Sequence, residues 1–393
     1  MGAPTTRGNA ARMDGVLPSA TVSLAQRVRE DRAKGVTLFD FTVGEPHWGP
    51  PPAALAAVKA GLDRGLTRYG DARGLPALRE AIATELRAKG IAAVADEVVL
   101  FPGGKQAIYM ACQALLDPGD EAVIVPPCWV SYADIVRLAG GVPVEVDTVA
   151  EDRYAPREDV LRAAIGPRAK VILTNNPSNP TGAVWDPEVV AMVARVAAER
   201  DLWVLDDLVY EAFNYTGRAV PAIGALADGA GRTITVGSFS KAFAMTGFRV
   251  GYAHAPAALV SQLVKLAQQS HTCLPGFLQE GALAALKDAP GFPAEMAAHF
   301  DGLRAIVREE LGDIDPGPLE GAFYAFVDIT SSGMTSQAFG DYVYDVHQVA
   351  VVPGSAFGAA GEGRVRVSYA AEEGVLREGL RRLARAIREA GAR

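Results

Sequence analysis

Cysteine is scarce in this chain of 393 residues, and it occurs only at Cys112, Cys128 and Cys273. Three cysteines so far apart do not support a disulfide framework or a cysteine zinc site, and they favour a reducing compartment. An excess of positive charge is also missing, because 38 Lys and Arg residues face 46 Asp and Glu residues. The net charge of −8 argues against a nucleic acid or an anionic membrane as the main partner.

Long apolar runs are absent as well. No segment approaches the roughly 18 uncharged apolar residues that a membrane span needs. The first residues, MGAPTTRGNAARMDG, contain no apolar core of a signal peptide. We therefore expect a cytoplasmic protein that does not bind membranes. The composition, with 49% hydrophobic and 21% charged residues, is that of a globular protein and argues against widespread disorder.

Short apolar runs alternate with helical segments along most of the chain. The runs at 121–127, 170–177, 202–207 and 232–238 all end in Pro, Asn, Asp, Gly or Ser, which is typical of buried strands in a mostly parallel sheet. Helical spacing is found between them, for example at 187–200. This alternation predicts an α/β fold, in which ligands bind at the carboxyl ends of the strands.

The last hundred residues have a different pattern. A long helical segment around 294–311 is followed by short apolar runs and a closing basic helix, which suits a smaller α+β domain. We place the boundary near residue 295. The predicted organisation is a flexible tail at 1–14, a small domain formed by 15–45 and 296–393, and a large domain at 46–295.

The segment GSFSKAFAMTGFRVGY, at 237–252, contains a candidate nucleophile. Ser238, Ser240 and Lys241 follow the end of a predicted strand, and Arg249 lies in a turn flanked by glycines. A lone lysine is usually solvated on the surface. A lysine beside hydroxyl groups and a guanidinium, however, also suits a Schiff base next to a bound phosphate. Such a lysine needs a lowered pKa, because only the free amine attacks an aldehyde.

The segment LWVLDDLVYEAFNY contains a candidate partner for that chemistry. Asp207 ends an apolar strand, and Tyr210 follows three residues later. An aspartate at a strand end is most often a helix cap. It could instead face a protonated ring nitrogen, where a carboxylate keeps a pyridinium charged and the ring an electron sink. Tyr210 would then donate its phenol to the O3′ oxygen of the ring.

Three further segments have a local structural explanation and a functional alternative. The Gly103–Gly104 turn before Lys105 opens a helix whose backbone N–H groups could bind a phosphate, although the spacing is not that of a Walker loop. Trp129 follows a strand and could stack on an aromatic ring or pack in the core. NNPSNPTG is a rigid turn that can hold Asn179 in one pose.

Together and in this order, the motifs resemble those of a class I, fold-type I pyridoxal-phosphate aminotransferase, near the bacterial branch of aspartate aminotransferases. The resemblance runs from about Ser19 to the C-terminus. The motifs that carry it are GEP, PGGKQA, PxWVSY, NxPxNPTG, DxxY, SxSKAFAMTGFRVG, GAFY, VPGSAFG and RVSYA. The resemblance implies a large domain with a mostly parallel seven-stranded sheet and a smaller α+β domain. It also implies pyridoxal 5'-phosphate as the cofactor.

The resemblance further implies roles for individual residues. Lys241 would form the internal aldimine and move the proton of the substrate, with Asp207 at the pyridine nitrogen and Tyr210 at the O3′ oxygen. The other residues implied to bind the cofactor are Gly103, Gly104, Lys105, Trp129, Asn179, Ser238, Ser240, Arg249 and, in the neighbouring subunit, Tyr69. Residues implied at the substrate are Gly44, Trp129, Asn179 and Arg366, which would fork onto the α-carboxylate. No metal is implied, and Tyr69 implies a homodimer with shared sites.

Two loops depart from the family pattern, and both lie beside the substrate in the family. His47-Trp48 replaces an acidic residue and a phenylalanine, which indicates either local repacking or altered substrate choice. The segment 268–277 also carries unusual residues. Lys105 and Thr21 match a branch that binds a distal acidic group, although Lys105 could equally point to solvent.

The sequence therefore predicts an aminotransferase that moves an amino group from an amino acid, with acidic ones as candidates, to a 2-oxo acid by a ping-pong mechanism. The alternative keeps the cofactor but predicts β- or γ-elimination, replacement, cyclisation or oxidation of an amino acid. A purely binding role is disfavoured, because Lys241, Asp207 and Arg366 are all present.

Overall fold

The computed structural model describes residues 10–392 of the protein. The tail predicted at 1–14 therefore lies largely outside the described residues, and Ala11–Met13 form a single 3-10 turn. Within the described residues, no helix is both long enough and apolar enough to cross a membrane.

The helices agree closely with the segments of helical spacing in the sequence. The segment predicted to be helical at 187–200 forms a helix over Pro187–Glu199. The one predicted around 294–311 forms a helix over Phe292–Leu311. In chain order, the helices are α1 Ala20–Ala33, α2 Pro52–Asp63, α3 Pro76–Ala88, α4 Gly104–Leu115, α5 Ser131–Leu138, α6 Glu158–Ala164, α7 Pro187–Glu199, α8 Phe239–Ala242, α9 Ala257–Ser270, α10 Gly276–Asp288, α11 Phe292–Leu311, α12 Ser336–His347 and α13 Glu373–Gly391.

The strands form one large sheet and two small ones. In chain order, they are β1 Phe39–Asp40, β2 Val98–Phe101, β3 Glu121–Ile124, β4 Val142–Glu145, β5 Ala169–Asn175, β6 Trp203–Asp207, β7 Thr233–Ser238, β8 Gly251–His254, β9 Tyr324–Asp328, β10 Val349–Ala350, β11 Val352–Pro353 and β12 Arg364–Ser368.

The large sheet has seven strands in the order β2-β8-β7-β6-β5-β3-β4. Strand β8 pairs antiparallel with both of its neighbours, and the other pairs are parallel. The α/β prediction with a mostly parallel seven-stranded sheet is therefore confirmed. Strands β5, β6 and β7 are buried on both faces, which explains why they read as continuous apolar runs.

The C-terminal part packs around a second hydrophobic core. Strands β11, β12 and β9 form a three-stranded antiparallel sheet, and β1 pairs parallel with β10. The apolar side chains of α11 and α13 pack on these strands and meet Phe41 from the N-terminal part. A separate core surrounds the large sheet. On these two cores we propose the division into a large domain at 46–295 and a small domain at 15–45 and 296–393.

Candidate active site

A cavity of about 380 Å³ opens at the carboxyl ends of β5, β6 and β7. Parallel strands present their carboxyl ends at one edge of the sheet, so the polar residues that follow them converge there. Most of the site residues proposed from the sequence line this cavity. They are Thr21, Gly44, Gly104, Lys105, Trp129, Asn179, Asp207, Tyr210, Ser238, Ser240, Lys241, Arg249 and Arg366.

Lys241 lies in the short helix α8, directly after β7. Its Nζ donates a hydrogen bond to the carbonyl oxygen of Gly44 at 2.5 Å. The pKa of Lys241 is lowered to about 8: burial is the main cause, Glu45 opposes it, and the guanidinium groups of Arg249 and Arg366 add to it. A substantial fraction of this amine is therefore free at neutral to mildly basic pH, as a nucleophilic lysine requires.

Asp207 ends β6 and is only 5% exposed. Its Oδ2 accepts a hydrogen bond from the hydroxyl of Tyr132 at 2.6 Å, and its Oδ1 accepts one from the backbone N–H of Val209 at 3.2 Å. Burial raises the pKa of Asp207 to about 6, although both hydrogen bonds oppose that shift. The carboxylate thus faces the cavity as a buried anion with hydrogen bonds but without an ion pair among the described residues.

A hydrogen-bond network connects the loop after β5 to the small antiparallel sheet. Asn179 Nδ2 donates to the Tyr210 hydroxyl at 3.4 Å, and that hydroxyl shares a hydrogen bond of 2.8 Å with Tyr324. Asn179 Oδ1 accepts from Arg366 Nη1 at 3.1 Å. Arg366 is 2% exposed, and its Nη2 donates to the carbonyl of Thr42 at 2.5 Å. The network fixes the guanidinium plane beside the cavity.

The start of α4 also lines the cavity. Gly103 has a φ of +88°, a conformation that strains any residue with a side chain, and a Cβ here would lie 2.3 Å from Arg249 Nη2 and displace that guanidinium. Arg249 Nη1 approaches Ser240 Oγ at 3.5 Å, and the Ser238 hydroxyl donates to Ser240 Oγ at 2.9 Å. Hydroxyl groups, a guanidinium and free N–H groups of a helix start are the donors that suit a phosphate.

Lys105 and Trp129 stand side by side at the cavity. The Lys105 ammonium lies 4.7 Å from the centroid of the Trp129 ring, and Trp129 contacts Tyr132 edge to face at 5.4 Å. Partial burial and the nearby Arg249 lower the pKa of Lys105. Lys105 lines the cavity and is also exposed to solvent, so its contact with a distal acidic group stays a prediction.

Three residues proposed from the sequence are not among those that line the cavity of their own chain: Gly103, in the turn before α4, Tyr69 and His47. Tyr69 is 87% exposed. His47 packs against Trp48 and His299, with ring centroids 4.4 and 5.5 Å away. Burial and then the His299 ring lower the pKa of His47. Trp48 packs in turn on Phe300, so the departure from the family pattern at this loop fills a contact with α11.

Sequence reasoning assigned no role to several residues that the fold brings to the site. Tyr132 holds Asp207, Tyr324 holds Tyr210, and Asn175 donates from Nδ2 to the carbonyl of Asp207 at 2.9 Å. All three stand inside motifs already quoted. A Cβ at Gly44 would lie 2.0 Å from the Tyr324 hydroxyl, which explains the glycine of GEP.

Comparisons with known proteins agree with this geometry. Residues 36–387 match the family model of class I and II aminotransferases. The chain is 38% identical to the aspartate/prephenate aminotransferase of Thermus thermophilus, over 97% of this chain and 99% of the relative. It is 39% identical to an aspartate aminotransferase of Pyrococcus abyssi, over 96% and 98% of the two chains. The solved aspartate aminotransferase of Thermus thermophilus with maleate superposes with a TM-score of 0.92, at 38% identity over 97% and 100% of the two chains.

The chain therefore belongs to the class I and II aminotransferase family. It is an enzyme, and the reaction that the relatives support is amino-group transfer. The alternative of elimination, replacement, cyclisation or oxidation is not favoured by relatives that are named aminotransferases.

The family implies pyridoxal phosphate, and the residues at the cavity fit it. Asp207 is a buried anion that forms no ion pair within residues 10–392, which suits the protonated nitrogen of a pyridine ring. Arg249 has no carboxylate partner among residues 10–392, and it adjoins the glycine turn at the start of α4, which suits the phosphate. Arg366 Nε is buried without a hydrogen-bond partner, so the guanidinium retains a donor for a ligand.

Proposed function

We propose that this enzyme is a pyridoxal-phosphate-dependent aminotransferase in which Lys241 holds the cofactor through its amine. The observation that carries the proposal is the placement of Lys241, Asp207 and Arg366 around one cavity. Burial shifts the pKa of the lysine down to about 8 and that of the aspartate up to about 6. A free amine and an unpaired buried carboxylate in one site match the two ends of a pyridinium aldehyde.

The cofactor, when bound, supplies the aldehyde that receives amino groups and a protonated ring that withdraws electrons. Asp207 keeps the ring nitrogen protonated, and the Tyr132 hydroxyl holds its carboxylate in position. Lys241 Nζ takes the α-proton of the amino acid and returns it during transfer. The hydroxyl of Tyr210 and the amide of Asn179 donate to the O3′ oxygen.

Arg366 binds the α-carboxylate of the amino acid and of the 2-oxo acid. The fork of a guanidinium matches a carboxylate with two parallel hydrogen bonds. Asn179 already contacts Arg366 and adds a side-chain donor, and the backbone N–H of Gly44 adds a third. The same site serves both half-reactions of a ping-pong cycle, because the donor and the acceptor share this carboxylate.

We propose acidic amino acids as donors and 2-oxoglutarate as the acceptor. Lys105 lines the cavity, forms no ion pair within residues 10–392, and supplies a positive charge for a distal carboxylate; Thr21 lines the same cavity. The names of the Thermus and Pyrococcus relatives, which include aspartate and prephenate, support a substrate with a second acidic group.

We also propose a cytoplasmic homodimer with shared sites. Tyr69 is 87% exposed and away from the cavity of its own chain, which suits a contact with the phosphate in the partner's site. The scarcity of cysteine, and the absence of a disulfide among the three cysteines, suit a reducing compartment.

The test combines cofactor labelling with a substrate panel. Borohydride reduction of the protein with pyridoxal phosphate should fix the label on Lys241, as read by peptide mass spectrometry. Wild-type enzyme should convert acidic amino acids to 2-oxo acids faster than alanine, and Lys105→Ala should lower kcat/KM for acidic donors alone. A label on a different lysine would refute the assignment of Lys241. If Lys105→Ala lowers kcat/KM equally for every donor, Lys105 contacts the phosphate of the cofactor and not the side chain of the substrate.

A further inference from the structure

Tyr69 stands in the connection between α2 and α3, residues 64–75, which contains no helix or strand. Its side chain is 87% exposed, and residues 67–70 are all exposed. A connection of this kind has no ladder of backbone hydrogen bonds to fix it, so its position depends on contacts with neighbouring elements. The proposed function places Tyr69 at the phosphate in the partner's site, and that role requires a defined position.

The connection is held against the chain that follows α9. The backbone N–H of Gly70, directly after Tyr69, donates to Cys273 Sγ at 3.3 Å. The backbone N–H of Leu75, at the end of the connection, donates to Gln279 Oε1 at 2.5 Å. Both acceptors belong to the loop between α9 and α10 or to the start of α10 itself. Side chains from this part of the chain therefore fix the backbone on which Tyr69 stands.

Gln279 makes two hydrogen bonds with its buried amide. The side chain is on α10 and only 3% exposed. Its Oε1 accepts from Leu75, and its Nε2 donates to the carbonyl of Leu274 at 2.6 Å. One side chain thus ties the connection that carries Tyr69 to the loop after α9. Removal of the amide would leave a backbone donor and a backbone acceptor without their partners, which loosens both segments.

We propose that Gln279 is a positioning residue for the cofactor site of the partner subunit. The inference rests on the proposed function, because it takes Tyr69 as a contact of the phosphate in the partner's site. Gln279 is not among the residues that line the cavity of its own chain. Its amide fixes the connection at Leu75, and through the connection it fixes Tyr69. Loss of the amide therefore weakens cofactor binding in the other chain and leaves the site of its own chain intact.

Two heterodimers of identical composition test the direction of this effect. Each contains one Gln279→Met and one Lys241→Ala substitution, so only one chain retains Lys241. In the first heterodimer, one chain carries both substitutions and the other is wild type. In the second, the substitutions are on different chains. Both are titrated with pyridoxal phosphate, and occupancy is measured by mass spectrometry as the cofactor that borohydride fixes to Lys241.

The first heterodimer should need about fivefold more cofactor for half occupancy than the second, as expected for a weakened hydrogen bond to a charged group. The second should match a heterodimer that carries Lys241→Ala alone. A general effect of Gln279→Met on folding would weaken both heterodimers equally, and an effect within one chain would weaken the second alone. Either result overturns the inference, and so does equal occupancy of all three heterodimers.

A second variant and a control use the same arrangement of chains. Gln279→Glu in its ionised form keeps the acceptor for Leu75 and loses the donor to Leu274, so its loss should be smaller. It also replaces Gln279→Met if that variant does not fold. The matched control is Gln113→Met, because Gln113 Nε2 donates to the carbonyl of Leu138 at 3.2 Å, far along the chain from the connection. This control should leave the occupancy of both heterodimers unchanged.

Tyr69→Phe in place of Gln279→Met tests the proposed function separately. It should weaken the first heterodimer and spare the second. If Tyr69→Phe shows this pattern and Gln279→Met does not, the inference on Gln279 fails while the shared site stands. If Tyr69→Phe weakens neither heterodimer, the shared site of the proposed function itself fails.

Discussion

Replacement of Asp207 by asparagine separates the role of this residue at the cofactor from its role in folding. The variant keeps the shape of the side chain and removes its charge. Asp207 is 5% exposed, and its oxygens accept hydrogen bonds from Tyr132 and from the backbone of Val209. The role in folding predicts a gain in stability of the cofactor-free protein, and the role at the cofactor predicts a loss of cofactor affinity. One substitution therefore tests both.

In the cofactor-free protein, the charge of Asp207 opposes folding at neutral pH. Burial raises the pKa from 3.8 to about 6, so the folded protein binds more protons than the unfolded chain between these values. The stabilisation by the protonated form is complete below pH 3.8 and lost as the pH rises through 6. At pH 7.5 the ionised carboxylate costs at most about 3 kcal/mol. Asparagine avoids that cost but keeps one acceptor: its Oδ1 can accept from the backbone N–H of Val209, whereas its Nδ2 can only donate to the Tyr132 hydroxyl. We therefore expect a net gain of about 1 kcal/mol.

With the cofactor bound, the same change removes the partner of a buried positive charge. That loss is worth about 3 kcal/mol, or about 150-fold in the Kd for pyridoxal phosphate. The expected pattern for Asp207→Asn is therefore a higher Tm without cofactor, a smaller rise of Tm when cofactor is added, and a weaker Kd in a fluorescence titration.

Asp206→Asn is the matched control. Asp206 is 2% exposed, and burial also raises its pKa to about 6, but its carboxylate binds Thr174 and the backbone of Ile223 on the opposite face of β6. This variant should keep the cofactor affinity of the wild type. If the two variants change the Kd equally, or if Asp207→Asn binds the cofactor as tightly as the wild type, Asp207 does not face the ring nitrogen.

Two further predictions concern Lys241 and the assembly. Burial lowers the pKa of Lys241 from 10.5 to about 8, so cofactor-free Lys241→Met should be more stable than the wild type at pH 7 by at most about 3 kcal/mol. The wild type loses its buried charge as the pH rises, so the stability advantage of Lys241→Met should fade between pH 8 and 10.5 in urea titrations. An advantage that stays constant with pH would contradict burial of the Lys241 charge as its cause. Mixing Tyr69→Phe with Lys241→Ala should recover activity in hybrid dimers, since one of the two sites is then intact; if the mixture is as inactive as its components, sites are not shared.

The sequence was sufficient for the fold class and for most of the residues at the cavity. Strands β5, β6 and β7 lie in the middle of the sheet, and their apolar runs end at polar residues, so both their existence and the edge that binds ligands could be read locally. The family motifs supplied the seven-stranded sheet, the cofactor and the residues around it. The four-residue strands β2, β4 and β8 were not recognised, and β4 is also partly exposed at the edge of the sheet. The equally short β3 was recognised because two prolines end its apolar run.

Tertiary structure alone decided which distant side chains meet. Arg366 donates to the carbonyl of Thr42, 324 positions away, and Tyr210 shares its hydroxyl hydrogen bond with Tyr324. Arg29 resembles Arg27 and Arg32 in the sequence, yet only packing shows that Arg27 pairs with Asp345 and Arg32 binds the carbonyl of Leu38, whereas Arg29 lines the cavity. Local periodicity tells which face of a helix or strand a residue occupies. What lies opposite that face depends on how the elements pack, and the sequence of one element does not encode it.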